Sequence, residues 1–385
     1  MSRRATGVDW ILMLASLALV LVGTLLVWST TAPRAGLTRG DHTAYLKKQL
    51  VNVAIGLVLL VIVMATDHRW VRIVAPLVYL ASIVGLVMVL TMGSTINGSR
   101  SWLELGGMSI QPSEFAKLAV VIGMALLVAE RAENHWRNQV GTAEVVGMLV
   151  IAGVPAALIM LQPDLGTMLV LSATVFGVLA TSGAPRRWLA LLGVGGVTAA
   201  AVAVAAGLLK QYQVDRFMAF TNPDLDPRGA GYNTEQARIA VGNGGLFGQG
   251  LFHGSQTRAG FVPEQHTDFI FTVAGEELGL VGSAVLIALL GVVLWRALRI
   301  SMRADDLFGR VAAAGIACWF GFQAFQNIGM CLGIMPVTGV PLPLVSYGGS
   351  SMFASLMALG LLQNIHLRSK QGIGVARSRV HRSRF

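Results

Sequence analysis

Apolar residues run through this chain in blocks of about 18–25, parted by short connections that hold most of the charge; a helix of that length crosses about 30 Å of hydrocarbon. Ten such blocks are predicted, at about 8–29, 50–66, 73–92, 112–130, 143–161, 165–182, 187–208, 269–295, 307–333 and 345–365. Backbone polar groups inside lipid have to be satisfied within their own segment, so the pattern predicts an all-α polytopic membrane protein. A large loop, 209–268, separates the seventh block from the eighth, and a basic tail, 367–385, follows the tenth. No internal repeat or second domain is visible, which makes 1–385 a single membrane domain.

Composition points the same way. Of 385 residues, 54% are hydrophobic and only 12% charged, with mean hydropathy +0.66. A soluble domain carries about a quarter charged residues. The net charge of +10 does not indicate nucleic acid, because the basic residues follow alternate connections. With the N-terminus inside, Arg69, Arg72, Arg131, Arg186, Arg187 and Arg296 all fall on the cytoplasmic side, and an even number of spans returns the C-terminus there. The tail ARSRVHRSRF is expected either to lie along anionic headgroups or to be disordered with no role. Cys318 and Cys331 share a helix about 20 Å apart, too far for a disulfide. The first block is too long for a signal peptide and is read as a retained span.

The large loop contains FTNPDLDPRGAGYN and TEQARIAVGNGGLFGQG. Asn233 followed by Gln236 resembles a capping box, which predicts a short helix over 234–241, ended by Asn243, Gly244 and Gly245.

Ionisable groups at or within spans are costly, about 2.5–3.5 kcal/mol each at mid-helix, and they mark the candidate chemistry. In QPSEFAK, Glu114 and Lys117 are three apart and can pair on one helix face. In LQPDLGT, Asp164 precedes an apolar run, where it either caps a helix or faces a polar site. In FVPEQHTDFIFTVAGEELGL, Asp268 stands where an apolar helix of about thirty residues begins. Thr272, Gly275, Gly279 and Gly282 follow within about 40° of it, a stripe that suits close helix approach. Glu276, about 80° away, is expected to line the cavity below Asp268; Glu277 faces the other way and is expected to bond a neighbouring helix. In MPVTGVPLPLVSYGGSSM, prolines and glycines break helix, and Ser346, Tyr347, Ser350 and Ser351 offer hydroxyls to a polar ligand. With these blocks in order, the groups gather at the outer-leaflet level.

QPSEFAK, LQPDLGT, GYNTEQARIAVGNGGLFGQG, FVPEQHTDFIFTVAGEELG and PVTGVPLPLVSYGGSS, in this order, resemble the SEDS family of bacterial membrane proteins, over about 10–368. Within the family, QTRAGFVPEQHTDF and MPVTGVPLP are most similar to the RodA branch rather than the FtsW branch. The resemblance implies ten spans and a peptidoglycan glycosyltransferase. It would polymerise lipid II on the outer face of the bacterial cytoplasmic membrane, beside a class B penicillin-binding transpeptidase and other elongation-complex proteins. It implies an essential aspartate at Asp268, a glutamate–lysine pair at Glu114 and Lys117, and a further aspartate at Asp164. It also implies a divalent cation, Mg or Mn, with the carboxylates that hold it left open, Asp268 among them.

A sugar hydroxyl is a weak nucleophile, and a carboxylate that takes its proton accelerates attack by about 10²–10⁴. Asp268 is the candidate base. Departing pyrophosphate needs cationic support, for which Lys117, Arg216, Arg238 and Arg258 are candidates. Substrate contacts are further expected from Lys48, Gln236, Glu276, Ser346, Tyr347 and Ser350. The rival from another class is a lipid II flippase, which would carry matched polar groups near the bilayer midplane.

Overall fold

The computed structural model describes residues 7–38, 40–96, 99–105, 108–134, 140–207, 214, 216, 220 and 229–382. The chain forms α1 (Trp10–Thr31), the single turn α2 (Ala35–Thr38), α3 (Ala44–Ala65), α4 (His68–Met92), α5 (Pro112–Asn134), α6 (Thr142–Leu161), α7 (Leu165–Thr181) and α8 (Arg186–Ala205). After the loop come α9 (Ala230–Asn243), α10 (Ser255–Ala259), α11 (Ile270–Arg303), α12 (Leu307–Cys331) and α13 (Gly349–Arg382). The fold is all-α and apolar, as the block pattern predicts. By length and composition, 8 of these helices can cross a membrane among the described residues: α1, α3, α4, α5, α6, α8, α11 and α12. The sixth and tenth predicted spans coincide with α7, an apolar helix of 17 residues, and with α13.

Helix starts follow local chemistry. Asp9 caps α1 by accepting from the backbone N–H of Leu12 at 3.2 Å, and Asp306 caps α12 through Gly309 at 3.2 Å. Pro112 occupies the first turn of α5, where its missing N–H costs nothing. At the centre of the bundle lie α5 and α12, each lined on most sides by other helices. By contrast, α8 has no buried residue; it packs along α7, and its Arg187 donates to the Thr142 hydroxyl of α6 at 3.1 Å.

The end of the bundle opposite Asp268 is stitched by polar side chains. Arg296 of α11 forms a buried ion pair with Asp9, and Gln363 of α13 bonds both the N–H and the carbonyl of Asp9, at 3.0 and 2.9 Å. The Asn364 amide donates to the carbonyls of Val63, Met64 and Thr66 at the end of α3.

Three features differ from what the sequence predicts. Before α5 the chain makes a small antiparallel sheet of β1 (Ser94–Ile96), β2 (Ser99–Leu105) and β3 (Met108–Ile110), in that order. Helix α9 begins at Ala230, so Asn233 lies inside it and forms no capping box; Gly229 takes the cap position. The predicted end at Asn243 and Gly244 matches.

Helix α11 is not one continuous rod. It breaks at Gly279, whose φ of 68° and ψ of −167° belong to a region essentially restricted to glycine. The break strands backbone groups, and the glycine-rich loop after α9 satisfies them. The carbonyls of Glu276 and Glu277 accept from Gln249 and Gly250 at 2.9 and 3.0 Å. The N–H groups of Leu280 and Val281 donate to Gly245 and Leu246 at 2.9 and 3.0 Å. Much of the loop before Gly229, and the expected lipid contact of the tail side chains, fall outside the described residues.

Candidate active site

The site is assembled on a chain break. Between α12 and α13 the segment 332–348 is non-helical, and its carbonyls are taken up by amide side chains on α12. Gln323 donates to Pro341 O at 2.8 Å, Gln326 to the Thr338 hydroxyl at 2.7 Å, and Asn327 to Val340 O at 2.7 Å. Asp268 lies against this segment at Gly339.

Asp268 does not cap its helix. The cap position belongs to Phe269, and no side chain caps α11. The Asp268 backbone N–H bonds to Glu264 O at 3.0 Å, and its carbonyl accepts from Asn327 at 2.7 Å. Its carboxylate faces Gly339, where a Cβ would stand 3.1 Å from Oδ2. A carboxylate held there is starved of solvation. Burial, with the neighbouring charges of Glu264 and Asp164, pushes its pKa up to about 7; the Arg216 guanidinium and the Thr267 hydroxyl oppose the shift.

Asp164 caps α7, accepting from the Thr167 N–H at 3.0 Å and hydroxyl at 2.8 Å. Its second oxygen also accepts from Gln111 at 3.3 Å. Burial raises its pKa, and bonds from Thr167 and the charge of Lys117 pull the other way. Asp164 is therefore at once a cap and an electrostatic neighbour of Asp268. The two alternatives that its sequence position leaves open are not exclusive.

Glu114 and Lys117 pair at 2.7 Å in the interior. Lys117 also donates to Gln323 Oε1 at 2.8 Å and lies 5.1 Å from the Trp319 ring centroid. The other carboxylate oxygen of Glu114, Oε2, is buried with no hydrogen-bond partner among the described residues.

Several expected substrate contacts are engaged elsewhere. Glu276 does not line a cavity below Asp268. Its carboxylate is filled by the start of α10: the hydroxyl of Ser255 at 3.2 Å, the N–H of Gln256 at 2.7 Å, and the N–H and hydroxyl of Thr257 at 2.8 and 2.6 Å. A short helix offers bare N–H groups at its start, and a carboxylate satisfies them better than a neutral side chain does. Glu277 accepts from Ser29 of α1 at 2.7 Å, as its orientation implies. Ser346 turns its hydroxyl inward to accept from Leu342 N–H at 2.8 Å, and Ser350 accepts from Gln111 N–H at 2.8 Å. Arg238 is exposed on α9, 3.9 Å from Glu235, and Gln236 lies on the same helix; Arg258 is exposed on α10. Among the loop arginines it is Arg216 whose charge reaches Asp268.

Lys48 and Tyr347 each contact Tyr45. The rings of Tyr45, His266 and Tyr347 pack with centroids 5.1–5.6 Å apart, and Lys48 Nζ lies 5.7 Å from the Tyr45 ring centre. Burial lowers the His266 pKa, which keeps its ring neutral near pH 7. Arg34 bonds Gln265 and the Thr257 carbonyl beside this cluster. The amides Gln323, Gln326 and Asn327 are functional groups that the motifs above do not include. Their signal was present: three amides spaced i, i+3 and i+4 inside an apolar block.

Among the described residues no three His, Cys, Asp or Glu side chains converge as a metal set.

The cell cycle protein family of FtsW, RodA and SpoVE matches residues 9–371. The chain belongs to this family. This SEDS protein is 38% identical over 364 residues to the peptidoglycan glycosyltransferase MrdB of Escherichia coli (strain K12), covering 94% of each chain. Its fold matches a chain of a peptidoglycan synthase complex that coordinates polymerization and crosslinking, with TM-score 0.78, 32% identity and coverage of 94% and 99%. It also matches the rod shape determining protein RodA of Thermus thermophilus, with TM-score 0.69, 30% identity and coverage of 94% and 98%.

Proposed function

We infer that this SEDS protein is a peptidoglycan glycosyltransferase that polymerises lipid II during cell elongation. It would act on the outer face of the cytoplasmic membrane, with ten spans and both termini inside. The observation that carries the site assignment is Asp268: a carboxylate free of any capping bond and held against Gly339. Burial pushes its pKa up to about 7. A general base works best when its pKa lies near the working pH.

In the reaction, Asp268 takes the proton from the C4 hydroxyl of the acceptor sugar. The oxygen attacks the anomeric carbon of the donor from the face opposite pyrophosphate, the α-linkage inverts to β, and undecaprenyl pyrophosphate leaves. Arg216 is the best-supported cation for the charge that develops on the leaving group, since its field already acts on Asp268. Lys117 is fully buried in its pair with Glu114, so its role is to organise the site and bias Asp164. Lys48, Tyr45 and Tyr347 would flank the sugar.

A class B penicillin-binding transpeptidase is the proposed partner, in keeping with the synthase complex that this fold resembles. Dependence on Mg or Mn is proposed on the family resemblance, and no step is derived through the ion. Chelation with EDTA followed by re-addition of each metal tests it.

Purified protein with lipid II tests the function. Wild type should yield glycan strands, and Asp268→Asn should fold, bind its partner and lose activity by about 10²-fold or more. Near-normal strands from that variant would remove Asp268 as the base. Movement of lipid II across vesicles with no polymer would establish the flippase instead.

A further inference from the structure

Asn327 lies on α12 with both of its amide hydrogens committed to backbone. Nδ2 is 2.7 Å from the carbonyl of Asp268 and 2.7 Å from the carbonyl of Val340. The side chain is fully buried. It therefore ties two stretches of chain that are 72 residues apart, the start of α11 and the break before α13, at the point where the Asp268 carboxylate meets Gly339. One turn earlier on the same helix, Gln323 donates to Pro341 and accepts from Lys117. Two adjacent peptide units, Val340 and Pro341, are thus held by two amides, one leading to Asp268 and the other to the Glu114–Lys117 pair.

We propose that Asn327 is a positioning residue for the glycosyl transfer: its amide clamps the Asp268 backbone to Val340 and so fixes the carboxylate against the acceptor hydroxyl. The proposal rests on the glycosyltransferase reading for its catalytic consequence, and on the hydrogen bonds alone for the clamp. Loss of the clamp leaves two buried carbonyls without donors and lets the start of α11 shift relative to the break. A displacement of about 1 Å at a reacting group lowers rate by about 10²-fold, while groups that bind the rest of the substrate are untouched.

Asn364 provides a matched control. Its amide also donates to buried backbone carbonyls, those of Val63, Met64 and Thr66, but at the opposite end of the bundle. Full-length Asn327→Leu and Asn364→Leu would be compared for polymerisation of lipid II and for backbone hydrogen exchange. In Asn327→Leu, exchange should quicken together in 264–269 and 338–342, and kcat should fall at least about tenfold with KM for lipid II within about twofold. Asn364→Leu should leave both segments protected and kcat within about twofold. If only one segment responds, the clamp is refuted. If both variants lower kcat alike, the role of Asn327 is structural and the proposal falls. Coupled quickening in Asn327→Leu, beside a wild-type protein that makes no glycan, would uphold the clamp and sink the glycosyltransferase reading.

Discussion

Lys117 and Glu114 form a 2.7 Å ion pair whose side chains are 0% and 2% exposed. Such a pair is held by its geometry and its surrounding hydrogen bonds, and removing one partner strands a buried charge at a cost of about 3–5 kcal/mol. Lys117→Met should therefore lower the melting temperature sharply and abolish polymerisation. The exchanged pair, Glu114→Lys with Lys117→Glu, should recover stability more than activity, because the Gln323 oxygen and the field on Asp164 are matched to a cation at 117. Melting curves and lipid II turnover on the same preparations read both quantities. Full activity in the exchanged protein would reduce the pair to a packing device.

The Asp268 carboxyl sets a pH dependence of known sign. It accepts a proton only when ionised, so turnover should fall about tenfold per pH unit below about 7 and level off above it. Its folded pKa is raised from the ordinary 3.8, so the folded state holds the proton more tightly than the unfolded chain does. Stability from this group is therefore greatest below about 4 and is lost as pH rises from about 4 to 7. Asp268→Asn should melt with less pH dependence across that window. A rate profile flat between pH 5 and 8 would contradict the assignment.

Glu276 and the start of α10 form a closed unit of four donors on one carboxylate. Glu276→Gln turns one acceptor into a donor facing donors, at a cost of about 1–3 kcal/mol. The expected result is faster proteolysis of 249–260 and a lower melting temperature, with KM for lipid II little changed. A large rise in KM with the loop still protected would restore the substrate contact that the sequence suggested.

Gly279 and Gly248 meet where α11 is broken, and both have positive φ. A Cβ on Gly248 would collide with the carbonyl of Glu277, and one on Gly279 with the backbone of Gly248. Gly279→Ala should cost about 1–3 kcal/mol from backbone conformation alone, and more from the collision. Thermal melting checks this. A variant as stable as wild type would mean that α11 can run straight through.

The spans, the acidic motifs and the break before α13 were legible because hydropathy, proline and glycine act locally, within a turn or two. Family membership was legible because five motifs stand in order. Asp268 and Glu276 looked alike in sequence, both acids near the start of one apolar helix. Only the folded chain separates them: donors from 19 to 21 residues upstream fill the carboxylate of Glu276, whereas Asp268 is approached by glycine, like charges and Arg216. The interruption of α11 and the amides of α12 were hidden for the same reason. A helix can break, or an amide can sit in an apolar interior, when distant backbone supplies the missing hydrogen bonds, and no local pattern records which distant backbone that is.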